Sequence, residues 1–426
     1  MKHYKYLIIG NSAGGIGAIE AIRKIDKDGS MAVISDESHH TYGRPLISYY
    51  LGNEIEFDKI FYRPSDFYEK NSVDALLGKR VMRINFEQRF VTLGDGDEIE
   101  FEKLLLATGG EPFVPFINGL EDHEFFTFIT LDSALKIRDR LARGNVKTAV
   151  VLGGGLVGLK ATEALTERGV NVKVVELADR VLSPVLDDQA SQLIRSVLEE
   201  RGVEVLTGHT ITEVVGDDSK VESVTLDSGV RIDCELLVVG IGVRPRVELV
   251  KDTPVETGRG IVVDKRMRTS VADVYACGDC AEVYDFIMDG FRLTPLWPTA
   301  HIGGRVAGSN MAGVDKEYVW GTGMNAVDFF GFPVISAGLL NPPEGEEMEV
   351  LTKLDLDTKT YKKFLIRDKH IVGMVLLNEV DRAGVILGLM REKVDVTSFK
   401  DNLLLKNFGA AYLPREIREE INTVAV

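Results

Sequence analysis

The chain has 426 residues, 45% of them hydrophobic, and a formal net charge of −16. That length exceeds a single core and requires two or three domains, and the acidic balance argues against nucleic acid or an anionic membrane surface as partner. No run of about 18 apolar residues marks a membrane span, the N-terminus runs into a strand without a signal peptide, and three cysteines without a paired framework fit a reducing cytoplasm.

The first predicted element is a strand at Leu7-Ile8-Ile9, an apolar run of the kind buried on both faces. Gly10, Ser12, Ala13 and Gly15 follow, then a helical pattern of Ile16, Ala18, Ile19, Ala21 and Ile22. Strand, glycine turn and helix aim a helix N-terminus at a phosphate. A second strand at 31–35 ends in Asp36-Glu37, and Asp36 lies 26 residues beyond Gly10, near the spacing at which an acid meets a ribose hydroxyl. Ser12 stands where the G-x-G-x-x-G pattern has its middle glycine. We read the serine as tolerated, with its hydroxyl on a phosphate oxygen. An ordinary βαβ turn without a ligand is the alternative this motif alone leaves open.

The stretch 38–48 carries Gly43, Arg44 and Pro45 in a long loop, and loops of this length tend to be functional. His39 and His40 within it are expected to be merely solvated, since nothing nearby makes a metal cluster, and no metal site is expected. Residues 57–69 read as a short helical stretch packing Phe61, Phe67 and Tyr68; 73–77, 80–85 and 90–93 read as strands between Gly78 and Gly94-Asp95-Gly96 turns. The apolar strand 103–107 closes in Ala107-Thr108-Gly109, which allows a ligand close to the backbone at the carboxyl edge of a sheet. A helix at 131–141 follows.

A second nucleotide unit then begins. Strand 148–152 leads into Gly153-Gly154-Gly155-Leu156-Val157-Gly158, an intact G-x-G-x-x-G, and a helix at 159–168 ends at Gly169. Strand 172–175 closes in Glu176, 23 residues beyond Gly153. A 2′-phosphate beside Glu176 is repelled, so NADH is expected over NADPH. A helix at 187–202 and strands at 203–206, 211–215, 221–226 and 236–240 complete the unit, which turns outward at Ile241-Gly242. A short strand then ends in Gly278-Asp279. Pro298 near Trp297 opens a helix through 311. From about Met324 a separate segment carries an antiparallel pair at 361–366 and 371–377 and a helix at 383–391.

With Gly10-x-Ser12-x-x-Gly15, Tyr42-x-Arg44-Pro45-x-x-Ser48, Ala107-Thr108-Gly109, Gly153-x-Gly155-x-x-Gly158 with Glu176, Gly240-Ile241-Gly242 and Gly278-Asp279 in order, the chain resembles the FAD-dependent pyridine nucleotide-disulfide oxidoreductases. The nearer resemblance is to their NADH:rubredoxin and ferredoxin reductase branch and to the flavin part of NADH-dependent nitrite reductases, and it covers nearly the whole chain. It implies an α/β fold: two Rossmann-like domains plus a small C-terminal α+β domain. A discontinuous FAD domain (1–112 and 246–324) is interrupted by an NAD(H) domain (113–245) and followed by an interface domain (325–426). FAD would be held by Gly10, Ser12, Ala13, Gly15, Asp36, Glu37, Arg44, Pro45, Val81, Ala107, Thr108, Gly109, Asp279 and Trp297. NAD(H) would be held by Gly153, Gly155, Leu156, Val157, Gly158, Glu176 and Gly242. By the same resemblance Asp279 hydrogen-bonds the ribityl chain or a phosphate-side hydroxyl, and Arg44 and Pro45 lie beside the flavin. The helix near Thr299 points its N-terminus at the flavin N1/C2=O edge, favouring the anionic reduced flavin by about 0.3–1 kcal/mol.

Two departures shape the functional expectation. Disulfide-reducing relatives need a cysteine in the loop after the first acid, and 36–60 has none; Cys277-Gly278-Asp279-Cys280 overlaps the Gly-Asp motif and reads as structural, and Cys234 has no partner. Where many relatives pair a flavin-loop Lys with a helix Glu, this chain has Tyr49 and Lys160. Either Lys160 reaches flavin N5 from the NAD side as the catalytic cation, or it snorkels to solvent and pairs with Glu163 at i,i+3. The expected function is an NADH-dependent flavoprotein that passes electrons to an iron–sulfur protein or to an iron–sulfur subunit of a larger complex, without a redox disulfide. An NADH oxidase and a non-turnover flavin-binding subunit are the alternatives. Lys79, Arg80, Arg83 and Arg89 are candidates for a local basic docking patch, a solvated strand face being the other reading. Homodimer or hetero-oligomer is left open.

Overall fold

The computed structural model describes residues 1–342 and 345–418. The strand Lys2–Ile9 runs through the middle of a seven-stranded sheet. Its order is Val73–Leu77, Met31–Ser35, Lys2–Ile9, Glu98–Leu106, Phe90–Leu93, Val81–Asn85, and Val274–Ala276 pairs with the last residues of Glu98–Leu106. Ile8 stands opposite Val33 on one side and Leu105 on the other, and all three are fully buried. A parallel sheet covered on both faces needs such continuous apolar runs, and each aliphatic side chain so buried stabilises the fold by about 1.5–3 kcal/mol.

The chain leaves this sheet after Leu106 and rejoins it at Val274. Outgoing Gly110–Pro112 and returning Val243–Pro245 pair antiparallel, so the two crossings are hydrogen-bonded to each other. Between them lies a second parallel sheet, in the order Glu204–Thr207, Asn171–Glu176, Thr148–Leu152, Leu236–Val239, Phe126–Thr127. An antiparallel sheet of Ile211–Asp217, Lys220–Leu226 and Arg231–Asp233 accompanies it.

The C-terminal unit is a five-stranded antiparallel sheet, Met324–Phe329, Phe332–Gly338, His370–Leu377, Thr360–Arg367, Glu349–Asp355, with the helix Ala383–Arg391 beside it. The sequence pattern revealed only the two central strands, which are almost wholly buried; Glu349–Asp355 is exposed along most of its length and carries no core signal. Phe329, Phe332, Tyr361 and Leu377 of this sheet share one core with Leu159, Val174, Leu182 and Ile194 of the second unit. Its other side buries Phe286 and Ile287 from the chain that precedes it. No helix among the described residues is long and apolar enough to cross a membrane.

Two expectations need correction. Residues 57–69 are not one helix: Phe57–Ile60 is a single 3₁₀ turn and Phe67–Lys70 a separate helical turn. Pro64 and the extended Phe61, which bridges Tyr42, separate them. Nor are the two histidines merely solvated. His39 Nε2 lies 2.6 Å from Asp132 Oδ1, and His40 packs edge-on against Phe61 and Tyr68 with Nε2 3.0 Å from Arg63 O.

Candidate functional site

Among the described residues, three of the helices of twelve residues or more begin with no side chain capping their first N–H groups: Ala13–Ile25 after Ser12, Leu156–Glu167 after Gly155, and Trp297–Met311 after Leu296. The other two long helices are capped, Leu131–Ala142 by Thr130 and Asp188–Glu200 by Asp187, whereas the shorter Ile47–Leu51, Phe67–Lys70 and Ala383–Arg391 are uncapped too; what sets the first three apart is the glycine turns and the acid that surround them. Uncapped N-terminal donors, added to the helix dipole, make an anion cradle.

The glycines around them permit close approach. Gly10 sits at φ +122°, and a Cβ there would stand 2.0 Å from Ala107 O; a Cβ on Gly158 would stand 1.9 Å from Gly153 O. At Gly155 nothing lies within 4 Å, which leaves room for a phosphate over the helix N-terminus. Glu176 accepts from Gly154 N (2.5 Å) and Ala178 N (2.8 Å), so the terminal acid also shapes the second glycine turn.

On the first turn the predicted residues converge differently. Arg44 donates to Glu37, to Ile129 O (2.8 Å) and, at 3.4 Å, to Ser12 Oγ, and so joins the first glycine turn to the second unit. Glu37 also accepts from Tyr42 Oη (2.5 Å). Asp36 pairs with Arg246 Nη1 at 2.9 Å on the returning crossing, whose carbonyl accepts from Thr108 Oγ1 (2.7 Å) and whose N–H donates to Gly109 O (3.0 Å). Gly242, at φ +130°, accepts from Phe113 N at 2.9 Å across the paired crossings. Val81 is buried in the first core, next to a turn whose Gly78 and Lys79 N–H groups donate to Glu37 O and Ser35 O.

Asp279 follows the strand Val274–Ala276 and has no hydrogen-bond partner among the described residues. Burial pushes its carboxyl above the usual range, against the pull of Arg44. Half-buried and without a donor, its carboxylate is free to accept from a bound group. Trp297 stacks edge-on with Tyr62 at 5.0 Å. Its helix crosses Ala13–Ile25 almost backbone to backbone: a Cβ on Gly304 would stand 1.9 Å from Gly14 O.

These features fit two dinucleotides: two glycine cradles with open helix ends, a third open helix end at Trp297, and an acid near Arg44 with no hydrogen-bond partner among the described residues. Cys277, Cys280 and Cys234 are buried and unpaired; burial pushes all three thiols up, Cys234 to about 12. Thiols in that state are poor nucleophiles.

A family model for pyridine nucleotide-disulphide oxidoreductases matches residues 4–304, and one for the rubredoxin NAD+ reductase C-terminal domain matches 324–394. The chain belongs to the pyridine nucleotide-disulphide oxidoreductase family. It is 33% identical over 407 residues to the NADH-dependent phenylglyoxylate dehydrogenase subunit epsilon of Aromatoleum evansii, covering 95% of each chain. It is 28% identical to the NADH-rubredoxin oxidoreductase of Clostridium acetobutylicum, over 95% of this chain and 97% of that one. Among solved structures it superposes with TM-score 0.80 on the ferredoxin reductase for the CYP199A2 system from Rhodopseudomonas palustris. The match has 26% identity and covers 88% of this chain and 91% of that one.

The sequence did not reveal everything that joins the site. The helix Ile47–Leu51 packs Ile47, Tyr50 and Leu51 into the second unit's core beside Val151 and Ala161. Lys160 pairs with Glu163 at i,i+3, as one of the two expectations had it, but is mostly buried rather than snorkelling: its Nζ also donates to Asp328 O (3.3 Å) and lies 4.4 Å from the Tyr49 ring centre. Asp328 and Asp132 carried no motif, and Glu163 was legible only as the i,i+3 partner of Lys160; their remaining contacts come from partners distant in the chain.

Proposed function

We propose that the chain binds FAD on its first glycine turn and NAD(H) on its second, and works as an NADH:acceptor oxidoreductase that delivers electrons to an iron–sulfur partner. When bound, FAD supplies hydride acceptance from NADH and release of electrons one at a time. The residues of this chain do the rest. Gly10, Ser12, Ala13 and Gly15 offer N–H groups to one pyrophosphate; Gly153, Gly155, Leu156, Val157 and Gly158 offer theirs to the other. Asp279 accepts from a hydroxyl of the flavin side chain, and the open end of Trp297–Met311 faces the ring. Ala107, Thr108, Gly109, Arg44 and Pro45 wall the flavin. Asp36, Glu37 and Val81 lie at its adenosine end, and Glu176 with Gly242 serves the nicotinamide nucleotide.

The carrying observation is the flavin loop: it packs into the second unit's core and contains no cysteine between 36 and 60, so it joins both nucleotides without a thiol relay. We assign 1–112 and 246–324 to the FAD domain, 113–245 to the NAD(H) domain and 325–426 to the interface domain. The return of Val274–Ala276 to the first sheet supports that division. The full-length likeness to the epsilon subunit of an NADH-dependent dehydrogenase favours operation inside a larger complex, as the subunit that exchanges electrons with the nicotinamide pool. A cytoplasmic setting suits three unpaired thiols.

The test is an anaerobic NADH titration of the purified yellow protein, followed by a screen of rubredoxin, ferredoxin, viologen dye and O₂. Bleaching of the flavin and transfer to an iron–sulfur protein are expected. Reduction of O₂ alone would move the chain to the oxidases, and no bleaching would make it a non-turnover subunit.

A further inference from the structure

The C-terminal sheet ends on one side in a strand with an open edge. Glu349–Asp355 pairs along its whole length with Thr360–Arg367 and has no second neighbour. Among the described residues no backbone hydrogen bond from another segment reaches its outer edge. The far side of the sheet differs: Met324–Phe329 carries Phe329 into the core shared with Leu159 and Ile194 of the second unit. Other outer antiparallel strands carry features that discourage pairing. The ladders of Val81–Asn85 and Ile211–Asp217 contain register shifts, and Arg231–Asp233 is three residues long. Glu349–Asp355 has seven residues, an unbroken register, and neither proline nor glycine. Such an edge is a template for another strand.

The side chains of the strand say which kind of strand it fits. They alternate between the two faces of the sheet. Val350, Thr352 and Leu354 share one face, where Val350 is 46% and Leu354 38% exposed, and Leu356 just beyond the strand is 70% exposed. This apolar row is left for a neighbouring strand to cover. Glu349, Leu351 and Lys353 share the other face. Leu351 packs against the C-terminal core, Glu349 contacts Lys400, and the exposed Lys353 forms no salt bridge among the described residues. A lysine in the middle of an edge repels any strand that brings no acid to meet it. The acid that matches it, Glu349, stands four residues earlier in the same strand.

We propose that this edge binds the same edge of a second copy of the chain, antiparallel about a two-fold axis, so that the two C-terminal sheets join into one. The axis passes through Leu351, which stands opposite itself. Glu349 is then opposite Lys353 twice, and Val350 opposite Thr352 twice, because in an isologous contact each pair occurs in both directions. Charge selects this register, since opposite charges across a ladder stabilise it and like charges destabilise it. A displacement that puts Thr352 on the axis sets Glu349 against Asp355 and Leu351 against Lys353. One that puts Lys353 on the axis sets lysine against lysine. One that puts Val350 there sets Glu349 against Leu351 and carries Lys353 beyond the first residue of the facing strand. None of these residues belongs to the nucleotide turns, so the proposal stands apart from the FAD and NADH reading.

The experiment is sedimentation velocity of the full chain over a wide range of concentration, beside mild oxidation of variants with one added cysteine. Wild type forms a dimer. Lys353→Glu and Glu349→Lys each raise its dissociation constant about 10-fold or more. An equimolar mixture of the two returns toward wild type, because each chain supplies the charge that the other lacks, which a general loss of packing does not reproduce. Leu351→Cys yields a disulfide-linked dimer, its sulfurs meeting on the axis, and Thr352→Cys does not; the native cysteines are buried and do not compete. A monomer at every concentration, charge variants as dimeric as wild type, a mixture as weak as its components, or cross-linking through Thr352→Cys in place of Leu351→Cys overturns the proposal. Should a charge variant fail to accumulate, the two cysteine variants decide by themselves.

Discussion

Glu176 shows how one side chain serves both local structure and selectivity. Its two oxygens accept from Gly154 N and Ala178 N, so it holds the second glycine turn in shape while keeping a negative charge at the strand end. Glu176→Gln keeps the size and one acceptor and removes the charge. We expect the NADPH-to-NADH ratio of kcat/KM, measured with a dye acceptor, to rise at least about 10-fold, the effect of some 1.4 kcal/mol of relieved repulsion. NADH itself should lose no more than a few-fold. An unchanged ratio would show that another group discriminates. Ser12 and Arg44 belong to the same scale: a hydroxyl at the glycine position gains a contact from a guanidinium 32 residues away.

Among elements, one helix cap adds a polar anchor to the apolar core that docks the C-terminal sheet on the second unit. Asp187 caps Asp188–Glu200 by accepting from Ala190 N (3.0 Å), and it also accepts from Tyr361 Oη (2.7 Å) and pairs with Lys363 Nζ (2.8 Å). Burial raises its carboxyl, but Lys363, Tyr361 and Ala190 N outweigh burial and hold the pKa below the ordinary carboxylate value. A depressed folded-state pKa gives stability that is complete above the unfolded value, about 3.9, and is lost as pH falls through the lowered value. Asp187→Asn should therefore cost about 2–3 kcal/mol at pH 7, from the weakened cap and the lost charged contacts. The gap from wild type, read by denaturant unfolding, should close below about pH 4. A gap that is constant down to pH 3 would mean the ion pair contributes nothing.

For the whole molecule, charge governs the choice of acceptor. The net charge is −16, and two of the four basic residues on the first unit's outer strands are already paired, Lys79 with Asp95 and Arg89 with Asp273. An acidic iron–sulfur carrier meets like charge over most of this surface. With such a carrier, kcat/KM for the acceptor should rise several-fold between about 20 and about 200 mM salt, as screening shortens the range of repulsion. A fall with salt would reveal a local basic face, Arg80 and Arg83 included. A partner held permanently in one complex has no need of long-range attraction.

The nucleotide units were legible in the sequence because their signals are local. An apolar strand, a glycine turn and a helix occupy about 20 consecutive residues, and neither Gly10 nor Gly158 can carry a side chain without striking the backbone a few residues or one strand away. The helix Ala383–Arg391 and the two central C-terminal strands were legible for the same reason: burial leaves a pattern. What only tertiary structure decided is which charges meet. Glu163 binds a backbone N–H 167 residues away, Asp187 a tyrosine 174 away, Asp36 an arginine 210 away, and His39 an aspartate 93 away. No short-range propensity encodes such pairs, because a charged side chain has the same local preferences whether it ends in water or against a partner. The fold alone brings the two ends together and removes the water between them.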